Sequence, residues 1–112
     1  VTRYGSVIGL KEEKLAEYME LHNAVWPEVY EMIRACNMRN FTIFHRQFPD
    51  GNHYLFMYFE YVGEDIEADR AKMAADPKTQ AWWKLTDPCQ VPLSNRAEGE
   101  WWASMPEVCH ND

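Results

Sequence analysis

The sequence predicts an α+β fold of the ferredoxin-like, split βαβ kind, with one antiparallel sheet and its helices on one face. Three observations carry that expectation. The elements read in the order βα(α)ββα(α)β, and a Phe48-Pro49-Asp50-Gly51-Asn52 turn joins two strand-like runs into a hairpin. The helices suffice to cover only one sheet face, and the other is rich in Phe and Tyr. A second copy of the chain closing over that face would give a dimeric α+β barrel, with a pocket left between sheet and helices in each copy.

Each element has a local reason. Arg3 to Leu10 carries the β-formers Tyr4, Val7 and Ile8 and reads as a first strand. From Lys11 to about His22, the spacing of Leu15, Tyr18, Met19 and His22 predicts a helix. Pro27 suits the first turn of a second helix, with Glu28 near its positive end, running to about Cys36; Asn37 can stop it. Met38 to Gln47 and His53 to Tyr61 form the hairpin strands. Glu64 to Ala75 reads as helical, and Asp76-Pro77 caps and opens a short helix carrying Trp82, Trp83 and Leu85, which Asp87-Pro88 ends. Pro92 to Gly99 reads as loop and Glu100 to Val108 as a final strand.

Composition narrows the partners. A chain of 112 residues fits one domain, 1–112, and 46% hydrophobic with 26% charged residues is the balance of a packed globular protein. Aromatics stand out at 14%, five of them Trp, which suggests a ring-lined pocket or interface beyond the core. The net charge of −7 repels phosphate, so no nucleic-acid or anionic-membrane partner is expected, and a neutral small molecule suits the surface better. Cys36, Cys89 and Cys109 are odd in number, far apart and without a CxxC motif, so they read as reduced thiols of a cytoplasmic protein rather than disulfides or zinc ligands. No long apolar run or signal-peptide pattern is present. The sequon Asn40-Phe41-Thr42 falls within an expected strand and carries little weight.

Few residues are placed to do chemistry. Tyr18 and His22 are four apart on one helix and point the same way. Histidine gives and takes protons near neutrality, and the tyrosine adds a hydrogen-bonding hydroxyl beside it. Alone, a histidine near a helix end is more often a cap, and a tyrosine more often a core-edge residue. Trp82 and Trp83 diverge by about 100° on their helix, so one can fill core while the other lines a cavity; two packing rings is the plainer reading. His45 shares a strand face with Phe41 and Ile43 and could reach a pocket, yet His45 and His53 read more simply as two exposed turn histidines. There is no HExxH, Gly-rich phosphate loop, GxSxG elbow or nucleophilic-cysteine context, so no motif supports a metal.

The segment Tyr18-Met-Glu-Leu-His22-Asn23-Ala-Val-Trp26-Pro27-Glu28 resembles the signature of the L-rhamnose mutarotase family. Asn40 to Phe44, Gln80 to Lys84 and Trp101 to His110 resemble further family blocks in the same order, so the likeness covers nearly the whole chain. It implies a ferredoxin-like homodimer that interconverts the α and β anomers of a 6-deoxyhexose, first of all L-rhamnose, without a cofactor. Carried over by position, His22 is the acid/base residue, and Tyr18, Phe41, Trp82 and Trp83 are substrate-binding. The family often has Tyr at position 41, and Phe41 lacks that hydroxyl, a loss of about 1 kcal/mol in a possible hydrogen bond to sugar. The turn from Gln47 to Asn52 and the Glu64 to Ala74 helix also depart from the compact family pattern, leaving L-fucose or a related sugar as an alternative. In this chemistry a histidine protonates the ring oxygen while Tyr18 or a water handles the anomeric hydroxyl. A cofactorless monooxygenase, a haem-degrading enzyme and a non-catalytic sugar-binding dimer of the same fold are the rival readings.

Overall fold

The computed structural model describes all 112 residues, Val1–Asp112. Five strands, β1 (Thr2–Leu10), β2 (Met38–Gln47), β3 (His53–Tyr61), β4 (Gln90–Val91) and β5 (Ala103–Met105), form one antiparallel sheet in the order β2-β3-β1-β4, with β5 also on β1. That is the ferredoxin-like arrangement expected. Four helices complete it: α1 (Leu15–Asn23), α2 (Pro27–Ala35), α3 (Ile66–Ala74) and α4 (Pro77–Thr86).

Alternation along the strands sorts the two faces. Tyr4 pairs with Phe59 and Ile8 with Leu55, so even positions of β1 and odd positions of β3 share a face. On that face, Ile8, Leu10 and Leu55 pack with Tyr18 of α1 and Cys89. Further along it, Met38, Phe59 and Tyr61 pack with Ile33 of α2 and with Ile66 and Met73 of α3. Met38 is even and Phe41 odd, yet both join this face. The ladder slips between Arg39 and Thr42, where Asn40 takes a left-handed conformation at φ 54. This bulge reverses the parity of everything after it, and so turns Ile43 and His45 toward the helices.

The helix boundaries follow the local chemistry. Pro27 and Pro77 occupy first turns, and Asp76 accepts hydrogen bonds from the Thr79 backbone N–H (2.9 Å) and hydroxyl (2.8 Å). Asp65 caps α3 through the Ala68 N–H. Asn37, at φ 64, ends α2 in the left-handed conformation that asparagine tolerates.

Three details differ from the expectation. The stretch from Lys11 begins as a 3-10 turn at Glu12–Lys14 before α1. A two-residue strand, β4, follows α4. The last strand is three residues rather than nine, because Pro106 has no N–H to extend the ladder; an ion pair of Arg3 with Glu107 (2.8 Å) holds the tail instead.

Candidate active site

Helix α1 lies against the sheet with Tyr18 and His22 directed into the fold, as their four-residue spacing requires. Their rings stack at 4.1 Å between centroids. Trp82 of α4 meets the His22 ring edge-on at 5.4 Å, and Trp26 in turn meets Trp82 at 5.3 Å. The structure therefore brings Tyr18, His22 and Trp82 together. A cavity of ≈ 100 Å³ opens beside them, lined by Tyr18, Met19, His22, Ile43, Phe44, His45 and Leu55.

Hydrogen bonds fix the protonation pattern. His22 Nδ1 is 2.8 Å from the Tyr18 carbonyl oxygen, which can only accept, so Nδ1 carries the proton and Nε2 is left with a lone pair. Burial lowers the His22 pKa, against the contrary pull of that backbone bond, and the imidazole is neutral at pH 7. Tyr18 is nearly fully buried, and burial pushes its hydroxyl up to about 12. Gln90 Nε2 donates to that hydroxyl oxygen (3.4 Å), while the Trp101 indole N–H donates to Gln90 Oε1 (2.7 Å).

Two of the expected substrate-binding residues stand apart. Phe41 belongs to the second core cluster, its ring parallel to Phe59 at 6.5 Å, and is not among the residues lining the His22 cavity. Trp83 is 37% exposed, turned from the environment of the buried Trp82 as adjacent helical positions are. Of the two histidines expected to be exposed at the turn, His45 is exposed and His53 is not. His53 is buried at 7% exposure, and its Nδ1 is 2.9 Å from His45 Nε2 across the hairpin. The sequence reading assigned no role to Gln90, and it placed Trp26 and Trp101 in family-like blocks without naming them as site residues. Trp26 had a signal in the Trp-Pro pair that opens α2 and Trp101 in the C-terminal block; Gln90 had none. No three His, Cys, Asp or Glu side chains gather closely enough to hold a metal ion, and no helix is long and apolar enough to cross a membrane.

Several known proteins resemble this chain. The family model described as L-rhamnose mutarotase matches residues 3–111. An L-rhamnose mutarotase of Opitutus terrae is 39% identical over 87% of this chain and 86% of its own. An L-fucose mutarotase of Xanthomonas campestris is 33% identical over 84% of this chain and 74% of its own. The crystal structure of an L-rhamnose mutarotase from Formosa agariphila superposes over the full length of both chains with a TM-score of 0.74 at 16% identity, which shows the shared fold.

Proposed function

Because the chain belongs to the L-rhamnose mutarotase family and is a sugar mutarotase, an isomerase, we propose that it interconverts the α and β anomers of L-rhamnose by proton transfer at His22. The observation that carries the reading is the neutral His22, its Nδ1–H engaged by the Tyr18 carbonyl and a free lone pair on Nε2, in a residue that lines a cavity together with Tyr18. In the proposed step Nε2 takes the proton of the anomeric hydroxyl. The electrons of that O–H bond form the carbonyl, and the bond from C1 to the ring oxygen breaks with its pair going to oxygen. Tyr18 gives the ring oxygen a proton, and the amide of Gln90 steadies the phenolate left behind. Rotation about C1–C2 and reclosure returns both protons. The histidine thus starts as base rather than acid. No cofactor enters these steps. The whole chain, 1–112, acts as one domain, and the cytoplasm is where it works.

Phe41 and the L-fucose mutarotase relative support a second reading, L-fucose as the preferred sugar. In either case the sheet face away from the helices, where Phe44 is 62% exposed, pairs with a second copy to form a homodimer. Saturation-difference NMR at anomeric equilibrium tests the function on both sugars. Wild type should accelerate exchange of at least one, and His22→Ala should lose about 10²–10⁴-fold. Full activity in His22→Ala would remove the assignment.

A further inference from the structure

The proton-transfer scheme leaves one pair of titratable side chains unused. His45 borders the same cavity as Tyr18 and His22, on the edge strand β2. Its Nε2 is tied to buried His53, and the two rings lie nearly parallel, 14° apart with centroids at 5.1 Å. One hydrogen bond between two imidazoles uses one N–H and one lone pair. In the neutral pair, either His45 donates and keeps a lone pair on Nδ1, or His53 donates and His45 keeps an N–H there. His45, a residue that lines the cavity, therefore keeps a single free hydrogen-bonding nitrogen, Nδ1, whose sense can invert. A hydroxyl, which donates and accepts equally well, is the partner that fits both states.

Position 41 bears on the same point. Phe41 offers no polar group and sits against Phe59, whereas two residues further along the same strand face from Ile43, past Phe41, the chain presents an imidazole. Resting on the mutarotase reading, we infer that His45, with its tautomer coupled to that of His53, contacts a hydroxyl of the bound sugar and helps sort one 6-deoxyhexose from its epimers. The titratable groups around it are His53 from β3 and Tyr18 and His22 from α1. Burial and the neighbouring His53 both lower its pKa, which keeps it a neutral hydrogen-bonding group at pH 7.

His45→Leu and His45→Gln test this by anomer-exchange NMR on L-rhamnose and L-fucose, together with ¹⁵N spectra of the imidazoles. His45 is exposed, so neither change threatens the core. His45→Leu should raise KM for the preferred sugar about five- to tenfold with kcat within about twofold, and should change the ratio of kcat/KM between the two sugars. His45→Gln should recover most of that affinity. Adding sugar to the wild type should shift the His45 nitrogens, and should do so more weakly in His53→Leu, where the partner imidazole that orders His45 is gone. Unchanged KM for both sugars in His45→Leu, with silent His45 nitrogens on titration, would overturn the inference while leaving His22 and the mutarotase reading intact. If the wild type exchanges neither sugar, the mutarotase reading falls, and the nitrogen titration still decides whether His45 contacts a sugar.

Discussion

At the scale of single residues, the proposed mechanism needs two groups held in opposite states. Burial keeps His22 neutral and Tyr18 protonated, so base and acid coexist at neutral pH. The consequence for pH follows from the signs. His22 titrates below its ordinary value of 6.5, so activity should stay flat as pH falls through 6.5 and drop only below it, as Nε2 takes a proton and stops being a base. Tyr18 does not lose its proton until about 12, so no alkaline limb from it should appear below pH 10. A pH profile of the NMR exchange rate checks both limbs; an acid limb centred above 6.5 would assign the essential base elsewhere. The Tyr18–His22 pair was legible in the sequence, because four-residue spacing on a helix dictates a shared face. The His45–His53 bond was not. It depends on the hairpin register that sets Gln47 opposite His53 and His45 opposite Leu55, and a five-residue turn does not fix that register by itself. Gln90 was equally hidden. A glutamine after Asp87-Pro88-Cys89 looks like any loop residue, and its partners Tyr18 and Trp101 come from far along the chain and from the C-terminal segment.

At the scale of elements, capping chemistry carried the reading well. Pro27, Asn37 and Asp76-Pro77 were read as helix punctuation, and each stands at a helix boundary. Where the reading failed, the element was too short to have a period: β4 spans two residues, and β5 stops at Pro106. The bulge at Asn40 was also silent, since the left-handed residue is an asparagine rather than a glycine. Helix α4 matters most to the site, because it holds Trp82 on the edge of His22. Its cap is the single carboxylate of Asp76, which serves both the backbone and the side chain of buried Thr79. Asp76→Ala should therefore cost about 1–2 kcal/mol and lower Tm by roughly 5 °C, while Asp76→Asn, which keeps an acceptor, should cost less than half as much. Thermal denaturation of the two variants side by side makes the comparison. Equal losses would place the effect in charge rather than in the hydrogen bonds.

For the whole molecule, the unsolved balance lies on the sheet face that no helix covers. Arg3, Gly5 and Val7 of β1, Phe44 of β2, and Phe56 and Tyr58 of β3 share this face, and Phe48 lies parallel to Phe56 at 6.2 Å. A Cβ on Gly9 would come within 2.8 Å of the Val91 carbonyl oxygen, so the close β1–β4 approach requires glycine there. Monomeric proteins seldom leave such a contiguous aromatic surface in water, and burying it against a twofold copy is the simplest remedy. Ile43 and His45 point to the helix side of β2 and Phe44, which also borders the cavity, to the open side, so a dimer closing over Phe44 would brace the edge strand that carries His45. Sedimentation equilibrium should accordingly give roughly twice the 13.3 kDa chain mass for the wild type, with Phe44→Lys shifted toward the single chain because a charge would then be buried unpaired. Since the brace is lost with the dimer, exchange activity in Phe44→Lys should fall through KM before kcat. A wild type that sediments as one chain at high micromolar concentration would mean that this face stays open, and the rigidity of β2 would have to come from its single ladder with β3.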